Sequence, residues 1–268
     1  MPRPLIHQPA LTGPAAAALY GLEGFNHRVW PHRYTTFTNG QSRRGVLRTT
    51  RWMPPTNFDG QLVADLGVVC QQLGYFVADM EDDDGVTPME RIELAVEHAR
   101  RIGHHVGAAR GGGGMGSVAL RQILSWAGDE PPTESYAETR AAQLFRGWGI
   151  DVWRQVPVLI NRKRYRVDFV VRPSRRAARP QVLRPFDGLI VEVDGEEFHS
   201  KNFEADYERW SDLTRAGFHF VNITARQVRD RPAGVLATIG GALARDGFLN
   251  IAQLNPQLSA KTKHETRS

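Results

Sequence analysis

Two short apolar runs constrain this chain more than any other feature. RYRVDFVV (164–171) and LIVEVDG (189–195) have the β-branched and aromatic composition of strands inside a sheet, yet both carry carboxylates. Alternation puts Tyr165, Val167, Phe169 and Val171 on one face of the first strand, with Asp168, Arg164 and Arg166 on the other. In the second strand Leu189, Val191 and Val193 share a face, and Glu192 and Asp194 share the opposite one, ~6.6 Å apart along the chain. A charge in such a strand is costly unless it is paired or bound to a metal. Asp168, Glu192 and Asp194 together form an oxygen-rich set suited to Mg²⁺ or Mn²⁺. A cation of that kind can activate water and offset the charge of a scissile phosphate. The alternative is structural, with Glu192 and Asp194 paired to Arg164 or Arg166 across the sheet. Three carboxylates together, just before a Gly and a His, favour the metal site.

The charge distribution points the same way. The net charge is +5 and the pI about 9.6, a mild bias toward a polyanionic partner. From Arg140 to Arg184 there are twelve Lys or Arg and two acids, Asp151 and Asp168; from Gly188 to Glu208 there are seven acids and one base, Lys201. Bases can hold phosphates while acids hold a cation. A solvated basic loop beside a solvated acidic helix is the plainer reading of the same counts. The candidate phosphate contacts are Arg162, Lys163, Arg164, Arg175, Arg176 and Arg179. Such contacts give affinity without sequence choice, and DNA is the expected partner.

Secondary candidates each carry two readings. Ser135 and Glu138 fit the S-x-x-E capping box, so Glu138 either stabilises its helix or reaches the metal site from it. His199, five residues after Asp194, is either an inert loop histidine or a general acid or base. Lys201 is solvated or contacts phosphate. Asp206 and Arg209 are spaced for an i,i+3 pair, and Trp210 reads as core rather than a stacking platform.

The predicted element order of the second half is α-β-β-β-α-β-α. Helices are predicted over Ser135–Trp148, Phe203–Ala216 and Gly234–Ala244, and strands over Val156–Ile160, Tyr165–Val171, Leu189–Asp194 and Phe218–Ile223. A hairpin is expected at Asn161-Arg162-Lys163. The helix Phe203–Ala216 places Phe203, Tyr207, Trp210, Leu213 and Thr214 along one stripe. In the first half helices are predicted at Ala10–Tyr20, Gln61–Leu73, Met89–Ile102 and Ser117–Trp126, and strands at His27–Trp30 and Gly45–Trp52 with a turn at Asn39-Gly40. RGGGGMGS lacks the lysine of a phosphate-binding P-loop and reads as a flexible link; Glu81–Asp84 reads as a solvated acidic turn. The expected fold class is therefore α/β, of the α+β kind. The domains are 1–130, an α+β region for targeting or interaction; 131–250, the unit with the acidic site; and 251–268, a disordered tail.

Composition excludes several classes. One cysteine, Cys70, rules out an intramolecular disulfide framework and a multi-cysteine zinc site. No apolar run approaches the ~20 residues that span a bilayer, and the N-terminus does not read as a signal peptide. A cytoplasmic protein with no membrane partner is expected.

RVDFVV, LIVEVDGEEFHS and FEADYERWSDLTRAGFHFVNIT, occurring in order, resemble the uncharacterised domains related to very-short-patch-repair (Vsr-like) endonucleases, within the PD-(D/E)XK nuclease superfamily. The resemblance covers Pro131 to Gly247. It implies an αβββαβ core, Asp168 and Glu192 as metal ligands, and Asp194 where the superfamily usually has a lysine. It also implies His199 as a catalytic histidine and Glu138 as the helix glutamate. Asp194 in place of lysine, Trp210 where relatives often carry an acid, and the long excursion Pro173–Asp187 depart from the pattern. LTGPAAAALYGLEGF and the arginine-rich strands after it are similar to the region preceding such domains in AbiEi-like antitoxins, without their opening helix-turn-helix. The implied function is Mg²⁺-dependent endonuclease action on DNA; the alternative is a non-catalytic DNA-binding or antitoxin-like regulator. A third reading, an interaction protein, makes the acidic cluster structural.

Overall fold

The computed structural model describes residues 9–26, 29–37, 46–49, 54–81, 85–107, 115–173, 176–195 and 203–245. The protein is mixed α and β and divides into two compact units, Met1–Asp129 and Glu130–Ser268.

In the first unit a five-stranded sheet runs in the order β3-β2-β1-β5-β4. Its strands are β1 (Ala10–Thr12), β2 (Arg33–Phe37), β3 (Val46–Thr49), β4 (Thr56–Phe58) and β5 (Gln61–Val63). Helices α1 (Gly13–Leu19), α2 (Leu66–Gln72), α3 (Pro88–Arg101) and α4 (Met115–Ala127) complete it, with a 3₁₀ segment at Leu73–Asp79. Three expectations are corrected here. Ala10–Tyr20 is not one helix: a strand stops at Thr12 and the helix starts at Gly13 (φ 69°) and Pro14, where proline's missing N–H has no helical partner to lose. Gln61–Leu73 is likewise split. Gln61–Val63 pairs with β4, and Asp65 caps α2 by accepting the Gly67 and Val68 N–H groups. Val29 and Trp30 are not strand; His27, Asn39-Gly40, RGGGG and most of Glu81–Asp84 lie outside the described residues. Gly116 has a packing reason: a Cβ there would meet Gln71 O at 2.3 Å, where α4 crosses α2.

The second unit is a four-stranded sheet in the order β6-β7-β8-β9. Helix α5 (Tyr136–Gly147) precedes β6 (Val152–Ile160), β7 (Lys163–Val171) and β8 (Leu189–Asp194). Helix α6 (Phe203–Arg215) follows, then β9 (Phe220–Thr224), α7 (Ala225–Asp230) and α8 (Pro232–Arg245). The β6–β7–β8 ladders are antiparallel, and β9 joins β8 in parallel. One face packs Phe169, Val171, Leu189, Val191 and Val193 against Ala141 and Phe145 of α5 and Ile239 of α8. The rings of Phe145 and Phe169 meet edge to face with centroids 5.3 Å apart. The other face packs Val156, Val167, Val170 and Ile190 under Leu213 of α6.

That division corrects the simple alternation expected of β7. Val167 and Phe169 lie in different core layers, so the pleat changes phase at Asp168. β6 does the same: Trp153 and Val156, three apart, share a layer, and between them Gln155 takes the left-handed φ of 50°. Arg154 pairs with Phe169 and Val156 with Val167, so Gln155 and Asp168 face each other as one skipped residue on each strand, and the register survives. The stripe expected on α6 is also corrected: Leu213 is fully buried, but Tyr207 is 63% exposed. No helix among the described residues is long and apolar enough to cross a membrane.

Candidate active site

The site forms where the β7–β8 ladder stops. Pairing runs through Val171↔Leu189, Val170↔Ile190 and Phe169↔Val191 and goes no further. At the next position the Asp168 carboxylate accepts the Val193 N–H at 2.9 Å, so a side chain replaces the backbone acceptor the ladder would have supplied. β9 continues alongside, with Asn222 opposite Glu192 and Thr224 opposite Asp194.

Glu192 is 4% exposed. Both its oxygens accept from Arg209 Nη2 of α6, each at 2.7 Å, and the same nitrogen donates to Arg166 O at 2.9 Å. Burial, then the neighbouring charge of Asp168, pushes the Glu192 carboxyl up to about 8 against the pull of Arg209. Asp168 is also raised, first by burial, with the Val193 amide and Arg209 opposing and Glu134 and Asp194 adding. Glu138, 5% exposed on α5, is pushed up to about 7 by burial and then by Asp168. Asp168 thus stands within electrostatic reach of carboxylates on α5 and β8. The pairing of Glu192 with Arg164 or Arg166 is not found: Arg209 takes Glu192, and Arg166 pairs with Glu134.

Glu138 makes the bonds of the expected cap. Ser135 Oγ accepts the Glu138 N–H at 3.1 Å, the N-cap bond, and donates to Oε1 at 2.9 Å. Oε2 accepts the Glu134 N–H at 2.8 Å and Gln155 Nε2 at 2.7 Å. The capping bonds leave the carboxylate beside Asp168.

The basic candidates separate. Asn161 and Arg162 make the two-residue hairpin turn with φ of 50° and 67°, and Arg162 and Arg164 are exposed at its tip. Lys163 is tied to Glu208. Arg179 is held within the unit, on Glu130 and on the carbonyls of Arg154 and Gln155. Arg176 is exposed. Arg175, His199 and Lys201 lie outside the described residues, as does the expected tail 251–268, and the Asp206 side chain is not described.

Among the described residues no three His, Cys, Asp or Glu side chains stand together as a ready-made metal-ligand group. The chemistry of the donor set nevertheless suits a hard divalent cation: raised carboxylates on two neighbouring strands, Glu192 buried and Asp168 partly so, and only oxygen donors. Asn222 Oδ1, beside Glu192 in the β8–β9 ladder, is buried with no hydrogen-bond donor, as is the Nε of Arg209 with no acceptor. Sequence reasoning missed Gln155, Arg209 as partner of Glu192, and Asn222. A polar residue inside the apolar strand 152–160 was the one available signal, for Gln155.

No protein-family model, no curated protein and no solved structure matches the chain. The functional reading therefore rests on the chemistry of the site.

Proposed function

We propose that the unit from Glu130 onward is a divalent-cation-dependent endonuclease that hydrolyses DNA phosphodiester bonds. The observation that carries this is that Glu138, Asp168 and Glu192, on three elements, are each raised above the ordinary range, first by burial, with Asp168 adding to the rise at both glutamates. Such an arrangement is costly to keep without a cation. The order α5-β6-β7-β8-α6-β9 agrees with the αβββαβ core of the PD-(D/E)XK nucleases and supports the same reading.

Asp168, Glu192 and Asp194 are the residues that would hold Mg²⁺ or Mn²⁺. When bound, the cation supplies a water of lowered pKa and offsets charge on the phosphate. Glu138, raised to about 7 by burial and by Asp168, would join this set from α5. Arg209, released from Glu192, offers its guanidinium to a phosphate oxygen. Arg162 and Arg164 lie at the hairpin tip; Arg164 is four residues along β7 from Asp168, ~13 Å at strand rise, a reach suited to the backbone beside the reacting phosphate.

A second reading has an observation of its own: Arg209 engages both oxygens of Glu192, as in a site whose charge is settled internally. That favours a DNA-binding regulator that keeps the fold without cutting. Supercoiled plasmid incubated with Mg²⁺ or Mn²⁺ separates the two. Nicking by the wild type that disappears in Asp168→Ala, in Glu192→Ala and with EDTA supports the nuclease. Salt-sensitive DNA binding with no nicking on several substrates supports the regulator.

A further inference from the structure

Gln155 is a polar side chain, 6% exposed, in the middle of a nine-residue strand. Its φ of 50° is a conformation that non-glycine residues adopt at a cost and that persists only where the surroundings impose it. Two features impose it. Arg179 Nη2 donates to the carbonyls of Arg154 (2.6 Å) and Gln155 (3.2 Å), gripping the peptide from outside the strand. On the inside, Gln155 Nε2 donates to Glu138 Oε2 at 2.7 Å. The residue also lies opposite Asp168, the other position skipped by the β6–β7 ladder.

A regular strand has no use for this irregularity: the register is the same before and after it. Nor does capping α5 require it, since Ser135 and the Glu134 amide already supply that geometry. What the left-handed turn achieves is to bring a neutral N–H donor to the carboxylate standing next to Asp168. A neutral donor fixes that carboxylate's orientation without cancelling its charge, which a lysine or arginine in the same place would do.

We infer that Gln155 is a positioning residue of the carboxylate site: the skipped pair Gln155/Asp168, gripped by Arg179, sets Glu138 and Asp168 side by side so that both can serve one divalent cation. The inference rests on the cation-site reading. Removing an outer partner of a metal-ligand carboxylate typically weakens metal affinity 10–100-fold.

The test is Mn²⁺ affinity, read by electron paramagnetic resonance of the free ion on the full chain, together with the cation-free melting temperature. Gln155→Gly relieves the left-handed strain and deletes the donor; Gln155→Asn tolerates the same backbone but its amide is one methylene short of Glu138. Both are expected to bind Mn²⁺ at least tenfold more weakly than wild type, with a melting temperature at or above wild type for Gln155→Gly. In the Glu138→Gln background, Gln155→Gly is expected to cause no further loss. Wild-type affinity in both variants overturns the positioning role and leaves the cation site standing. Lost affinity accompanied by an equal loss of fold stability in both also overturns it, since the residue is then only structural. No Mn²⁺ binding by the wild type itself overturns the cation-site reading and this inference with it.

Discussion

The two ends of the β7–β8 pair behave oppositely. From Val171 to Phe169 the ladder with Leu189–Val191 is regular, every side chain is apolar and buried, and Phe169 meets Phe145 edge to face. One residue further, at Asp168, the ladder ends, the partly buried Asp168 carboxylate takes the Val193 amide, and the buried Glu192 carboxylate takes the Arg209 guanidinium. The first end stabilises the unit by removing apolar surface from water. The second end costs stability, because carboxylates raised by burial and by each other are concentrated there. That contrast is the reason for proposing the cation site at this end.

Mutations at the two ends should differ in how they respond to cation. Phe169→Ala should cost ~3–5 kcal/mol by opening a cavity against Phe145, seen as a lower denaturation midpoint, while the folded fraction keeps its cation affinity. Arg209→Met should cost less, roughly 1–3 kcal/mol near neutral pH, because the raised Glu192 carboxyl stays protonated but loses the donor to both its oxygens; unlike the Phe169 variant, it should recover stability on adding Mg²⁺. Equal Mg²⁺ rescue of both would dissolve the distinction.

The pH dependence sharpens it. Glu192 and Glu138 are raised to about 8 and about 7, above the unfolded value near 4.5, so the fold binds protons that the unfolded chain has released. Their contribution is complete below the unfolded pKa and is lost as pH rises through the folded values. Without cation, the melting temperature should therefore fall between pH 5 and pH 8, by roughly 2–4 °C for each kcal/mol lost, and Mg²⁺ should flatten the curve. The smallest effect is expected from Asp168→Asn, which keeps an acceptor for the Val193 amide but removes the charge raising both neighbours. It should add ~1 kcal/mol of cation-free stability at pH 8, the gain expected on relieving a functional site.

Much of the second unit is legible in the amino-acid sequence because local signals agree with the tertiary ones. β-Branched runs bounded by turn residues mark β7 and β8, Ser135 marks the start of α5, and Gly217, with φ 81°, follows the end of α6. Helix α7 carries a readable sign too, the Thr224–Gln227 capping box. The phase change at Asp168 and Gln155 is not legible, since period-2 alternation carries no record of a skipped residue whose cause is a grip from Arg179. Nor is Arg209: its local spacing suggests Asp206, whereas its partner Glu192 is reached only once α6 folds back over the sheet. In the first unit, Leu62 and Val63 fit a helical face and a strand equally well, and pairing with β4 decides.

The central claim is that the irregular end of the sheet is a divalent-cation site. Isothermal titration of Mg²⁺ into wild type and Asp168→Asn at pH 7.5 tests it most directly. The account predicts saturable binding to the wild type, with release of protons from the raised carboxylates, and binding at least tenfold weaker in the variant. Indistinguishable isotherms for the two proteins would contradict it.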